Sequence, residues 1–173
     1  MDFYAPPASP IESAKMWFDE AEKAVSTENP LAMTLSTCLP GNTVASRIVL
    51  MKSFSESGAI FFTNYNGDKA TEIAQNNNVA LLFHWDVLAR QMRIRGRATK
   101  VSAEISDEYF ASRQRLSQLG AWVSDQSKEL QNRDDLMSRV ADLDAQWNGK
   151  PIPRPPFWGG YCVSLQSIEF WQG

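Results

Sequence analysis

The stretch VALLFHWDVLARQMRIRGRATKV (residues 79–101) decides the fold, because it contains two candidate strands joined by a polar turn around Asp86. In its second half, every other residue from Met92 to Ala98 is apolar or glycine, and arginines fill the positions between them. A period of two is typical of a strand with one buried and one wet face. The stretch therefore predicts an antiparallel hairpin.

Three more strands are predicted upstream of this hairpin. Residues 32–39, 44–52 and 59–63 are short apolar runs rich in β-branched residues, and residues 40–42 (Pro-Gly-Asn) mark a turn between the first two. Five closely spaced strands with short connections favour a closed antiparallel barrel or a sandwich over a parallel sheet.

The end of the chain predicts one further strand. Tyr161, Val163 and Leu165 alternate with other residues, and the alternation changes phase at residues 166–167, which indicates a bulge in a single long strand.

Helical signals flank these strands. Ser9 and Glu12 form a capping box around Pro10, so a helix is expected to start there and end near residues 27–30. A short helix is predicted over residues 69–75. We expect one mainly β domain of the α+β class over residues 1–173, comprising an N-terminal helix (1–29), barrel strands (31–101), peripheral helices with a polar loop (102–148) and a C-terminal strand (157–173).

The amino-acid composition argues against several classes of function. The net charge of −3 argues against a general nucleic-acid binder, whose domains are usually basic. The first ten residues lack the basic and apolar run of a signal peptide, and Cys38 and Cys162 lie in apolar segments, which favours reduced thiols and a cytoplasmic location. The single histidine, His84, and the absence of any CxxC or HxxxH spacing give no basis for a metal site.

The segment SRQRLSQLGAWVSDQS (residues 112–127) is the strongest candidate for ligand binding. It carries Arg113 and Arg115 with a single acid, Asp125, whereas arginines on a solvated helix face usually have acids three or four residues away. Cations with neutral donors suit a phosphate group. An irregular polar loop without a ligand is the competing interpretation, and composition alone leaves both open.

Two other segments offer cations. Arg47 and Lys52 lie at the ends of an apolar strand, where they either contact a ligand or extend into water. Lys69 lies at the start of the short helix, where backbone N–H groups and a lysine suit a phosphate; the alternative is an ordinary turn with Asp68 as the helix cap. This inventory suits bound flavin mononucleotide (FMN), because a flavin performs redox chemistry with few acid–base residues from the protein.

The motifs in order resemble the pyridoxine/pyridoxamine 5′-phosphate oxidase family. The resemblance runs from about residue 30 to the last residue and rests on RIVLMK (47–52), FTN…DK (62–69), LLFHW (81–85), RQMRIRG (90–96), YFASRQRLSQLGAWVSDQS (109–127), PRPPFWGGY (153–161) and SIEFWQG (167–173). It implies an antiparallel FMN-binding split β-barrel that works as a homodimer with FMN at the subunit interface. The implied reaction oxidises pyridoxamine or pyridoxine 5′-phosphate to pyridoxal 5′-phosphate, with hydride passing from C4′ to flavin N5 and O2 as the final acceptor.

The resemblance also assigns site residues by motif, without naming a catalytic acid or base. The implied cofactor-binding residues are Arg47, Ile48, Val49, Leu50, Met51, Lys52, Phe62, Thr63, Lys69, Gln91, Gln126, Ser127 and Trp171. The implied substrate-binding residues are Lys52, Tyr109, Arg113 and Ser117, of which the last two are four residues apart and so could share one helical turn.

Three departures from the family pattern are visible. Gly67-Asp68-Lys69 replaces Ser-Arg-Lys, which should weaken binding of the FMN phosphate by about 1–3 kcal/mol. Gln114 stands where the family motif has proline. The sequence stops at Gly173, before the Arg-x-His-x-Arg segment of the family, so the alternative function is a flavin- or pyridoxal-phosphate-binding paralogue with weak or no oxidase activity.

Overall fold

The computed structural model describes residues 4–5, 7–39, 41, 43–130 and 132–173, and the turn predicted at residues 40–42 lies largely outside them. The described strands are β1 (Ala32–Cys38), β2 (Val44–Ser55), β3 (Gly58–Asn64), β4 (Asn78–Trp85), β5 (Arg90–Lys100), β6 (Trp158–Val163) and β7 (Ser167–Gln172). The described helices are α1 (Pro10–Ala24), α2 (Asp68–Gln75), α3 (Ala103–Ser112), α4 (Arg115–Val123) and α5 (Arg133–Gln146).

Six strands close into an antiparallel barrel in the order β1-β2-β3-β6-β5-β4, which confirms the predicted fold class. The hairpin of β4 and β5 has the predicted alternation, with Met92, Ile94 and Ala98 buried and the intervening arginines exposed. The barrel interior holds side chains from every strand of the ring, including the stacked rings of Phe61 and Tyr161. The barrel is therefore filled and its outer surface is left to bind ligands.

The prediction of one long C-terminal strand is wrong, because two strands share one neighbour. β6 pairs with β3 and with the end of β5, and β7 pairs with the first half of β5. Between them, the N–H of Ser164 donates to the carbonyl of Arg97. The chain passes so close to Gly96 that a Cβ there would lie 1.7 Å from the Ser164 carbonyl oxygen. Glycine at position 96 is what permits the crossing from β6 to β7.

Helix α1 covers one end of the barrel. Ser9 is the N-cap and Pro10 takes the first helical position, as predicted, but the Ser9 side chain accepts from the N–H of Ile11 rather than from that of Glu12, as a capping box would require. Phe18 meets Phe83 edge-on at 5.0 Å, and Trp17, which the helical pattern did not identify, is fully buried.

The other helices differ from the sequence-based prediction in two places. Asp68 is the first residue of α2 rather than its cap, because the cap position belongs to Gly67 and no side chain closes it. The predicted polar loop at residues 112–127 is largely the helix α4. Among the described residues, no helix has both the length and the apolar character required to cross a bilayer.

Candidate functional site

A cavity of about 590 Å³ opens on the side of the barrel, where β2 and β3 meet α2, α4 and β6. Its size is in the range of small-molecule and cofactor sites. Its lining combines cations, hydroxyls and amides with apolar side chains, and consists of Ile48, Val49, Leu50, Lys52, Phe62, Thr63, Asn64, Lys69, Tyr109, Arg113, Gln114, Ser117, Gly120, Ala121, Ser124, Gln126 and Trp158.

One wall of the cavity is aromatic. Phe62 stacks on Tyr109 with ring centroids 4.0 Å apart and planes 17° apart, and Trp158 lies nearly parallel to Phe62 at 5.5 Å. A Cβ at Gly160 would come within 2.8 Å of the Phe62 ring, so this glycine, two residues after Trp158, makes room for the stack. Parallel rings form a rigid, apolar surface against which a planar ligand can lie.

Arg113 lies against this wall, and no carboxylate of the described residues pairs with it. Its guanidinium carbon is 4.6 Å from the centroid of the Trp158 ring, and its Nη1 atom is buried with no hydrogen-bond partner among the described residues. Burial lowers the pKa of this guanidinium. A buried donor that nothing satisfies is rare in proteins and favours a ligand that supplies the acceptor.

The start of α4 adds further donors beside Arg113. Gln114 occupies the cap position without a side-chain hydrogen bond, and the first turn of the helix contains no acid. The first backbone N–H groups of a helix have no partner within the helix, so they attract anions. Arg115 turns away from the cavity and donates through Nε to Asp144 Oδ1 at 2.6 Å. The two arginines of this segment therefore have different roles.

A second cation lies across the cavity at the start of α2. Lys69 Nζ donates to Gln126 Oε1 at 2.6 Å, and Thr63 Oγ1 donates to the same oxygen at 3.1 Å. Burial and then the positive charge of Arg47 lower the pKa of Lys69, while Asp68 acts in the opposite direction. A group that is pushed toward its neutral form gains from an anion that restores its charge.

The structure brings most of the predicted site residues to this cavity. Those of the cofactor set that line it are Ile48, Val49, Leu50, Lys52, Phe62, Thr63, Lys69 and Gln126, and those of the substrate set are Lys52, Tyr109, Arg113 and Ser117. Arg113 is the residue that follows α3 and Ser117 lies within α4, so they meet at a junction between helices rather than on one helical turn.

Three predicted cofactor residues lie near the cavity without lining it. Arg47 points to the other side of β2, where it forms an ion pair with the buried Glu72 at 2.7 Å and donates to Thr37. Met51 belongs to the barrel core. Ser127 has a left-handed backbone with φ of 68°, and its hydroxyl accepts from the N–H of Asp68 at 3.1 Å. Ser127 thus fixes the turn that carries Lys69.

Gln91 and Trp171 lie on the outer face of the sheet instead. They are direct neighbours across β5 and β7, and Gln91 also pairs with His84 on β4. The register extends this row through β1 to Leu50, which lines the cavity. Gln91 lies three strand spacings from Leu50, about 14 Å along the sheet, and Trp171 lies four spacings away, about 19 Å, so these two residues and the cavity of the same chain cannot enclose one ring.

Some lining residues were missed in the sequence. Asn64 donates through Nδ2 to the carbonyl of Ser124 at 3.1 Å and ties β3 to the segment after α4. Trp158 lies in the quoted PRPPFWGGY motif, which carried no role before its ring was seen beside Arg113. Across the described part of the chain, no three His, Cys, Asp or Glu residues are grouped as a metal site would require.

Comparison with known proteins agrees with this geometry. A family profile described as pyridoxamine 5′-phosphate oxidase matches residues 18–146. The pyridoxine/pyridoxamine 5′-phosphate oxidase of Rubrobacter xylanophilus is 51% identical over 164 residues, covering 95% of this chain and 75% of the relative. That of Zymomonas mobilis is 47% identical over 155 residues, covering 90% of this chain and 80% of the relative.

Solved structures share the fold. PhzG from Burkholderia lata, in complex with tetrahydrophenazine-1-carboxylic acid, superimposes with a TM-score of 0.92 at 29% identity, covering 99% of this chain and 84% of that one. An FMN-binding protein from Nostoc punctiforme, described as related to pyridoxamine 5′-phosphate oxidase, gives a TM-score of 0.73 at 14% identity, covering 95% and 84%.

The fold is that of the flavin-binding split-barrel class, and the cavity opens on the side of the barrel. The chain belongs to the pyridoxamine 5′-phosphate oxidase family, a family of oxidoreductases. The resemblance in the sequence is therefore confirmed, and the predictions of FMN and of an enzyme are confirmed at the level of the family.

Proposed function

We propose that this chain binds FMN and oxidises pyridoxamine or pyridoxine 5′-phosphate to pyridoxal 5′-phosphate, with O2 as the acceptor. The observation that carries the proposal is the buried, unpartnered Nη1 of Arg113 beside the Trp158 ring. A phosphate monoester supplies the acceptor oxygens that this nitrogen lacks, and a pyridine ring suits the aromatic wall next to it.

The substrate phosphate is assigned to the start of α4. Arg113 and Ser117 line the cavity there, and Tyr109 and Lys52 line it nearby. Two cations, two hydroxyls and the first N–H groups of a helix match the charge and the acceptor oxygens of a phosphate. The stacked rings of Phe62 and Tyr109 would hold the pyridine ring in one orientation and exclude water from its face.

The cofactor phosphate is assigned to the start of α2. Lys69, Thr63 and Gln126 already form one hydrogen-bonded group there, and FMN would replace contacts within it. When bound, FMN supplies the hydride acceptor and the route of electrons to O2. The lining residues of the cavity, all within the described part of the chain, include no Asp, Glu or His, and the role assigned to them here is to bind and orient the ligands.

Gln91 and Trp171 enter the proposal through a second copy of the chain. They lie about 14 Å and 19 Å along the sheet from the cavity, and a flavin edge that contacts them together with Lys69 therefore requires two subunits. Exposed apolar side chains lie at both ends of this path: Ile48 at the cavity is 64% exposed, and Trp171 is 54% exposed. Apolar side chains on an outer sheet face favour an interface, so we propose a homodimer with FMN between the subunits.

The test combines turnover with a matched pair of variants. The protein is purified with FMN, supplied with pyridoxamine 5′-phosphate and O2, and assayed for pyridoxal 5′-phosphate. Wild type and Arg115→Met should turn over, and Arg113→Met should lose nearly all activity at low substrate concentration. Bound flavin without turnover in the wild type would refute the oxidase proposal and support the alternative, a flavin-binding protein with little oxidase activity.

A second substrate arm addresses the likeness to PhzG. Tetrahydrophenazine-1-carboxylic acid, the ligand in that structure, carries a carboxylate instead of a phosphate. The donors around Arg113 exceed what one carboxylate can accept, so the phosphorylated pyridines should be oxidised with the higher kcat/KM. A preference for the reduced phenazine would contradict the substrate assignment while leaving the flavin site intact.

A further inference from the structure

Gln114 combines a proline-compatible backbone with two free donor groups, its backbone N–H and its side-chain amide, at the edge of the cavity. Its φ is −57°, and the preceding Arg113 has φ of −73° and ψ of 149°. These are the angles that a proline and the residue before it adopt. Neither the N–H of Gln114 nor its side-chain amide has a hydrogen-bond partner among the described residues. Proline here would cost no hydrogen bond and would reduce the entropy of the unfolded chain.

The donors of Gln114 lie in the region that the proposal assigns to the substrate phosphate. Gln114 lines the same cavity as Arg113 and Ser117 and is the cap residue of α4. Its N–H adds to the free N–H groups that begin the helix. The side-chain amide carries two more N–H donors and no charge. Such a residue adds hydrogen bonds to a phosphate without adding the desolvation cost of another cation.

Resting on the proposed function, we propose that Gln114 is a substrate-binding residue that contributes its N–H and its side-chain amide to the phosphate of the vitamer. It raises the preference of the site for phosphorylated over unphosphorylated pyridines. Its contribution is to ligand affinity rather than to the rate of the chemical step, because a phosphate contact is the same in ground state and transition state.

The experiment measures the contributions of the backbone N–H and of the side-chain amide of Gln114 separately. Gln114→Ala removes the side-chain amide and keeps the N–H, whereas Gln114→Pro removes both and keeps the backbone angles. Binding of pyridoxal 5′-phosphate and of pyridoxal to the FMN-free protein is followed by quenching of tryptophan fluorescence, since Trp158 lines the cavity. We expect Kd for the phosphate ester to rise roughly three- to tenfold in Gln114→Ala and roughly ten- to a hundredfold in Gln114→Pro.

Three further readouts distinguish binding from structure. Kd for pyridoxal should stay within twofold of wild type in both variants, and Gln114→Pro should melt at or above the wild-type temperature. In the FMN-loaded enzyme, KM for pyridoxamine 5′-phosphate should rise by the same factor as Kd, with kcat unchanged.

Each outcome decides one of the two proposals. Wild-type affinity for pyridoxal 5′-phosphate in both Gln114 variants, with binding lost in Arg113→Met, would overturn the role of Gln114 and leave the phosphate site standing. Equal binding by wild type and Arg113→Met would overturn the phosphate site, and the role of Gln114 would fall with it. Equal weakening for pyridoxal and its phosphate would show that Gln114 acts on the shape of the cavity rather than on the phosphate.

Discussion

Replacing Arg113 by methionine should stabilise the cofactor-free protein while it removes the affinity for phosphate esters. Nη1 of Arg113 is buried without a partner, and an unsatisfied buried donor costs about 1–3 kcal/mol. Methionine keeps an unbranched chain against Trp158 and loses a cation–π contact worth about 0.5–1 kcal/mol. The free energy of unfolding should therefore rise by about 1 kcal/mol, or about 2–4 °C in the melting temperature for a chain of this size.

The assay is urea unfolding of the FMN-free protein together with binding of pyridoxal 5′-phosphate. On the ligand side, charge-assisted hydrogen bonds of about 1.5–3 kcal/mol are lost, so Kd should rise about a hundredfold or more. Arg115→Met is the matched control, because Arg115 is partnered by Asp144 and also donates to the carbonyl of Trp147 at 2.9 Å. That variant should lose about 1 kcal/mol of unfolding free energy and keep its affinity for the phosphate.

The reasoning would be refuted if Arg113→Met lost as much stability as Arg115→Met. Such a result would mean that Nη1 of Arg113 is satisfied in the ligand-free protein, and the main argument for an anion site at the start of α4 would disappear. An unchanged Kd for the phosphate ester would refute it independently.

Three further predictions concern other parts of the molecule. Gly96→Ala should lower the free energy of unfolding by about 3 kcal/mol or more in urea titrations, because the new Cβ would lie 1.7 Å from the Ser164 carbonyl oxygen. Gly120→Ala is the control: nothing lies within 4 Å of its Cβ, so this variant should raise the free energy of unfolding by about 0.5–1 kcal/mol. Asp68→Asn should tighten FMN binding roughly three- to tenfold in fluorescence titrations by removing an acid beside Lys69, to which the cofactor phosphate is assigned above, and should cost the helix about 0.3–1 kcal/mol. Burial raises the pKa of Tyr161 to about 12. Since an unfolded tyrosine titrates near 10, the stability that its neutral form provides below about pH 10 should be lost between about pH 10 and 12. In Tyr161→Phe, the free energy of unfolding should fall less over this pH range. An equal fall in both proteins would mean that the pKa of Tyr161 is not shifted.

The barrel was predictable because the sequence pattern of its strands shows which side chains are buried. Alternation in β5 and short apolar runs in the other strands fixed the class of fold, and the ends of these strands shifted by only a few residues. The crossing between β6 and β7 was not predictable, since the phase change at residues 166–167 does not reveal that Ser164 passes over Gly96. The only trace of this main-chain contact in the sequence is the glycine at position 96, and a glycine can have many other causes.

Helix α4 could not be predicted, because its composition is typical of a loop. Serine and glycine are frequent in loops, and the buried residues Leu119 and Val123 are too few to establish a helical period beside Gly120. The chemistry of the segment was nevertheless visible, because the shortage of acids around Arg113 is a property of the sequence. Which of the two arginines remains unpaired depends on Asp144 in α5, far along the chain.

The motifs predicted which residues belong to the candidate site, but only in part where those residues lie in the fold. Motifs bring Lys52, Lys69 and Arg113 to one cavity, as the resemblance implied. The ion pair of Arg47 with Glu72 is a tertiary contact that no local pattern contains. Trp171 lies away from this cavity, next to Gln91 across β5 and β7, and a motif does not record where the fold places its residues.

The place of β6 in the ring sets the order in which this protein can assemble. β6 lies between β3 and β5, so β1 to β5 emerge from the ribosome with two unpaired edges while α3, α4 and α5 are still being synthesised. Open edges invite pairing with other chains. The ring can therefore close only when β6 pairs with both β3 and β5.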